Sequence, residues 1–174
     1  MIPNILTTVR LGLVPVFAYF MLYADNMYLA AAIFVLSGLT DIVDGYIARH
    51  YNMITNFGMV YDPFVDKLMQ ITSVVCLVIA DIIPIWLLIF VIVKEVSMIV
   101  TGGILYIRKI VVRSNKFGKT ATVIFYAGVF SMIIWKNMPQ SVMMTVIAVM
   151  IAAMAIAAVF YLIDIIKNYE SKRV

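Results

Sequence analysis

Cysteine is nearly absent from this sequence, and the single Cys76 excludes an intrachain disulfide and leaves no thiolate cluster for a metal. Cys76 itself reads as a small buried hydrophobe. Histidine is as scarce. His50 stands alone, which removes imidazole-rich zinc or copper sites and reads as a solvated loop residue. Charge is the third shortage: 13% of the 174 residues are charged, 65% are hydrophobic, and mean hydropathy is +1.08. Soluble domains are about a quarter charged, and so few charges cannot cover this much apolar surface in water. Lipid is therefore the expected solvent for much of the chain. No stretch rich in Ser, Gly or Pro marks a linker, and there is no internal repeat, so residues 1–174 are expected to form a single domain. The first apolar segment lacks a small-residue cleavage site, which predicts a retained N-terminus.

Apolar runs of spanning length extend from Leu6 to Tyr23, Tyr28 to Ala48, Met59 to Ala80, Pro84 to Ile107, Thr120 to Trp135 and Val142 to Ile166. The fold class they predict is all-α, an integral membrane bundle of six transmembrane helices. Turn and polar residues separate them, at Ala24-Asp25-Asn26, His50 to Phe57, Asp81 with Pro84, Arg108 to Lys119 and Lys136 to Gln140. Arg108, Lys109, Arg113, Lys116 and Lys119 gather in one loop and Lys167, Lys172 and Arg173 in the tail, whereas the opposite side carries only Lys136. By the positive-inside rule both termini are expected in the cytoplasm, as a multi-pass protein of the cell membrane. This placement accounts for the net charge of +4 without nucleic acid. Gly102-Gly103 and Gly128 are expected where helices approach closely.

Against this background the carboxylates stand out. Asp at the centre of a membrane helix costs about 2.5–3.5 kcal/mol, yet Asp41, Asp44, Asp62, Asp66 and Glu95 fall in or at the ends of apolar runs. Near the four aspartates in sequence only Arg49 and Lys67 offer neutralising charge. A bound cation is the natural remedy. Asp41 and Asp44 are spaced i,i+3 and Asp62 and Asp66 i,i+4, so each pair shares a helix face, and both pairs flank one short loop. Two antiparallel helices would then bring four carboxylates together, an all-oxygen site suited to Mg2+ or Mn2+ and not to zinc. Gly45, Ala48 and Gly58 leave room beside it, either for a nucleotide or for helix packing. Lys94 and Glu95, deep in the fourth run, read as an internal ion pair, and Asp164 as a helix-end group meeting solvent or a basic neighbour.

The pattern Asp41-x2-Asp44-Gly45-x2-Ala48-Arg49-x8-Gly58-x3-Asp62-x3-Asp66 resembles the signature of the CDP-alcohol phosphotransferase family at every fixed position. The resemblance implies a six-helix homodimer whose aspartates hold two divalent ions on a CDP pyrophosphate. Carried onto this chain, it makes Asp41, Asp44 and Asp62 metal ligands and Asp66 both ligand and general base, with Gly45, Ala48, Arg49 and Gly58 lining the CDP site. The opening Pro3-Asn4-Ile5-Leu6-Thr7 with Arg10, and Asp62-Pro63-x2-Asp66-Lys67, are similar to bacterial members that join CDP-diacylglycerol to glycerol 3-phosphate, giving phosphatidylglycerophosphate and CMP. Members that make cardiolipin share these stretches, so that acceptor stays open. A phosphate-bearing acceptor needs cations, and Arg108, Arg113, Lys116 and Lys119 are the candidates, Arg108 first; the competing reading is loop charge that sets topology. Intramembrane acids also mark ion pathways, which keeps a divalent-cation carrier as the rival from another class.

Overall fold

The computed structural model describes the backbone of residues 2–24, 26–50, 58–107, 116–135 and 137–170. Within the helices, the side chains of residues 2–5, 42, 44–49, 58–60, 63, 102, 104–107, 116–117 and 166–170 lie outside the description. Six helices follow in order: α1 Ile2–Leu22, α2 Met27–His50, α3 Gly58–Ile79, α4 Ile85–Ile107, α5 Lys116–Ile134 and α6 Gln140–Glu170. No strand occurs among the described residues.

The expected number of helices is met, but several ends move. Helix α1 starts at Ile2 rather than Leu6 and α5 at Lys116 rather than Thr120. Hydropathy locates an apolar stretch, whereas a helix is bounded by its hydrogen bonds, so Asn4 in α1 and Lys116 and Lys119 in α5 are absorbed into helix. His50 closes α2, exposed, instead of opening a loop. Among the described residues only α6, over the 26 residues Gln140–Ile165, is both long and apolar enough to cross a bilayer by composition alone. Shorter apolar stretches occupy Leu6–Leu22, Met27–Asp41 and Gly118–Ile134.

The chain divides into two compact units, one of Met1–Ile89 with Phe130–Lys136 and the other of Phe90–Val129 with Asn137–Val174. In the first, α1 packs along both α2 and α3, while α2 and α3 touch each other sparsely among the described residues. Thr7, Arg10, Phe17 and Met21 bury one stripe of α1, and Ala30, Phe34 and Ser37 the facing stripe of α2. Phe17 and Phe34 meet with ring centroids 5.8 Å apart. Two caps hold the geometry. Asn26 accepts a hydrogen bond from the Leu29 amide at 3.1 Å, starting α2. Asp81 adopts φ 54° at the end of α3, where its amide donates to the Val78 carbonyl at 3.0 Å and that of Ile82 to Leu77 at 2.9 Å, the paired bonds of a Schellman ending. Asp is among the few side chains that tolerate this left-handed conformation.

In the second unit α5 and α6 meet at Gly128, where a Cβ would stand 2.3 Å from Met150 Sδ. The expectation of close approach holds there. At Gly103 nothing among the described residues lies within 4 Å of that position, and the surroundings of Gly102 lie outside the description. Lys94 and Glu95 form the internal ion pair read from their adjacency.

Candidate active site

Asp41 lies in the second half of α2, and Asp62 and Asp66 in the first turns of α3. The connection between the two carboxylate helices runs through α1. Thr7 Oγ1 donates to Asp62 Oδ1 at 2.5 Å, and Arg10 Nη1 donates to Asp41 Oδ1 at 2.6 Å. Thr7 and Arg10 are one turn apart on the same face of α1, about 4.5 Å along the axis, and both are 0% exposed. Asp41 and Asp62, 21 positions apart in sequence, therefore converge on one buried patch of α1. The side chain of Asp41 is 43% exposed, and Asp62 and Asp66 are half-buried. A third bond secures Asp66: the buried Gln70 donates from Nε2 to Asp66 Oδ2 at 3.0 Å. Ser73 Oγ in turn donates to the Gln70 carbonyl at 2.7 Å.

The count of cations near the aspartates needs a correction. Arg49 and Lys67 were the sequence neighbours, but the cation that contacts Asp41 is Arg10, 31 positions away. Proximity along the chain is a poor guide to proximity across packed helices. A signal was available, since Thr7 and Arg10 are polar residues at i,i+3, the spacing of one shared face, in a largely apolar segment. Gln70 and Ser73, buried polar residues one and two turns beyond Asp66, were overlooked in the same way.

The donor set fits a hard divalent ion: Asp41, Asp62 and Asp66 offer carboxylate oxygen alone. Each of Asp41 and Asp62 gives one oxygen to α1 and retains a second. Asp44 continues α2 one turn beyond Asp41, with a side chain outside the description, as are those of Gly45, Ala48 and Arg49. Among the described residues no three acidic, His or Cys groups by themselves form a metal-sized cluster. Gly58 opens α3, as expected. Arg108 and Arg113 lie outside the described residues, Lys116 begins α5, and Lys119 is an exposed residue of α5.

A model of the CDP-alcohol phosphatidyltransferase family matches residues 1–165. The chain belongs to this family. The match contains α1 through most of α6 and the whole aspartate pattern, so the resemblance carried by residues 41–66 extends to the fold around them. Among relatives within the family, the CDP-diacylglycerol–glycerol-3-phosphate 3-phosphatidyltransferase of Bacillus subtilis is 35% identical over 135 residues, 70% of each chain. That of Rickettsia typhi is 45% identical over 71 residues, 39% of each chain. The human cardiolipin synthase (CMP-forming) is 37% identical over 108 residues, which are 62% of this chain but 35% of the human one.

Proposed function

We propose that this CDP-alcohol phosphatidyltransferase works in phospholipid biosynthesis, transferring the phosphatidyl group of CDP-diacylglycerol to glycerol 3-phosphate and releasing phosphatidylglycerophosphate and CMP. The observation that carries the reading is the convergence of Asp41 and Asp62 on one face of α1 within a chain whose family match spans residues 1–165. Relatives from Bacillus and Rickettsia that bear this activity's name support the acceptor. The apolar composition and the lipid substrate support six membrane-spanning helices in the cell membrane, the asymmetry of basic residues supports termini and site on the cytoplasmic side, and the match over residues 1–165 supports one catalytic domain over 1–174 and the homodimer that the family resemblance implies.

The residues divide the chemistry as follows. Asp41, Asp44, Asp62 and Asp66 would hold two divalent ions, Mg2+ or Mn2+, which when bound supply charge compensation for the phosphoryl oxygens and the departing CMP. Gly45, Ala48, Arg49 and Gly58 line the nucleotide. Asp66, oriented by Gln70, accepts the proton of the acceptor hydroxyl while that oxygen forms a bond to the lipid-linked phosphorus and the bond to CMP breaks. Arg108, Arg113, Lys116 and Lys119 bind the acceptor phosphate.

A second reading, cardiolipin synthesis with phosphatidylglycerol as acceptor, is favoured by the likeness to the human enzyme. The test is CMP release from CDP-diacylglycerol by the purified chain with Mg2+ or Mn2+, offered glycerol 3-phosphate and phosphatidylglycerol in parallel. Turnover with glycerol 3-phosphate is expected; turnover with phosphatidylglycerol alone would move the assignment to cardiolipin synthesis. No CMP release with any acceptor would favour a divalent-cation carrier, the reading that the family match leaves without support.

A further inference from the structure

Several helical hydroxyls among the described residues bond within their own helix. Thr40 donates to the Leu36 carbonyl, Ser97 to Val93, Thr122 to Gly118 and Thr145 to Ser141, each four residues back in its own helix. Thr7 departs from that habit. Its fully buried hydroxyl donates across to Asp62 on α3, 55 positions away, at 2.5 Å, in the range of a charge-assisted hydrogen bond. One turn on, Arg10 puts a guanidinium in the interior, where burial is unfavourable unless an anion meets it, and the anion is Asp41 on α2. Two helices that touch each other sparsely among the described residues thus have their carboxylates set against a third helix that packs on both.

We infer that Thr7 and Arg10 are positioning residues for the metal ligands: α1 grips one oxygen of Asp62 and one of Asp41, and so sets how far apart, and at what angle, the other two oxygens stand. The inference rests on the proposed metal role of those aspartates. Its physical basis is that Mg2+ demands near-ideal octahedral geometry at about 2.0–2.1 Å, so a small error in carboxylate separation is costly. Groups that orient a ligand from behind typically govern metal affinity by about 10–100-fold. Neither residue is assigned a contact with nucleotide or acceptor. Their loss should therefore appear as weaker metal binding, with turnover recovered when metal is raised, which loss of a merely structural residue would not produce.

The test uses the full chain purified in detergent, with Mn2+ uptake followed by the electron paramagnetic resonance of free Mn2+ in the absence of substrate. Thr7→Val, which keeps shape and removes the donor, is expected to weaken Mn2+ by about 10–100-fold; Thr7→Ser, which keeps the donor, is expected to match the wild type. Arg10→Lys keeps the charge and loses the planar fork, and is expected to weaken Mn2+ in the same range. For Thr7→Val, excess Mn2+ is expected to return kcat to the wild-type value. If the wild type binds Mn2+ and Thr7→Val binds it equally well, or Thr7→Ser is as weak as Thr7→Val, the positioning role is overturned while the metal site stands. A wild-type chain that takes up no Mn2+ would overturn both.

Discussion

Removing either partner of the Arg10–Asp41 pair should have unequal consequences for stability. Arg10 is 0% exposed and Asp41 43%, so only the aspartate has water to fall back on. In Asp41→Asn the buried guanidinium exchanges a charged acceptor at that position for a neutral one. Breaking a fully buried pair costs about 3–5 kcal/mol, and the exposure of Asp41, together with the amide oxygen that remains, reduces this to about 1–3 kcal/mol. In Arg10→Met the buried charge is replaced by an apolar side chain of similar length and the part-exposed Asp41 returns to water, so no buried charge is left unpaired and a change within about 1 kcal/mol is expected. For a chain of this size 1 kcal/mol moves Tm by about 2–4 °C. The assay is thermal unfolding in detergent with excess chelator, so that metal binding does not enter. Asp41→Asn should then lose about 2–12 °C and Arg10→Met less than about 4 °C. Equal losses, or a larger loss in Arg10→Met, would refute the assignment of Asp41 as the main counter-charge of Arg10.

Gly128→Val should destabilise the chain by about 1–3 kcal/mol, since even its Cβ would stand 2.3 Å from Met150 Sδ and 3.3 Å from Val146 Cγ1; Met150→Ala in the same chain should recover part of the loss in unfolding experiments, and additive losses would contradict the contact. Asp66→Asn should lower kcat by about 10²–10⁴-fold with CDP-diacylglycerol binding largely kept, measured by turnover beside nucleotide affinity; near-normal turnover would exclude the base. Arg108→Ala should raise KM for glycerol 3-phosphate more than for CDP-diacylglycerol, and equal effects on both would reassign it to structure.

What was legible in the sequence was what depends on neighbours along the chain. Six helices follow from apolar runs and the Lys94–Glu95 pair from adjacency, and the same runs place Asp41 and Asp44 on α2 and Asp62 and Asp66 on α3. The contacts that join the site are of another kind. Thr7 reaches Asp62 over 55 positions and Arg10 reaches Asp41 over 31, and no local periodicity says that α1 rather than direct α2–α3 packing would unite the carboxylates. Helix ends were legible only to a few residues, because Lys116 and Lys119 precede an apolar run yet already belong to its helix. The Asp81 ending escaped for a related reason: a turn was expected there, but the left-handed φ sits on an aspartate where glycine is the usual occupant.

The proposed metal site sets a buried cation, Arg10, against one of its proposed ligands, Asp41, and charge balance supplies a reason. Asp41, Asp44, Asp62 and Asp66 give four negative charges, and Arg10, Arg49 and Lys67 three positive, so the set sums to −1. With so little net charge the carboxylates can share a membrane-facing fold before metal arrives, but the attraction for two divalent ions is correspondingly weak. CDP changes this balance. Its pyrophosphate contributes about two negative charges, which bring the set to about −3, closer to the four positive charges of two divalent ions, so nucleotide and metals should each raise the affinity for the other. Linkage makes that coupling reciprocal, and typical couplings are about 5–150-fold. Mn2+ affinity measured with and without a CDP-bearing analogue should therefore rise within that range. An unchanged Mn2+ affinity on adding the analogue would show that charge balance at the aspartates does not govern loading.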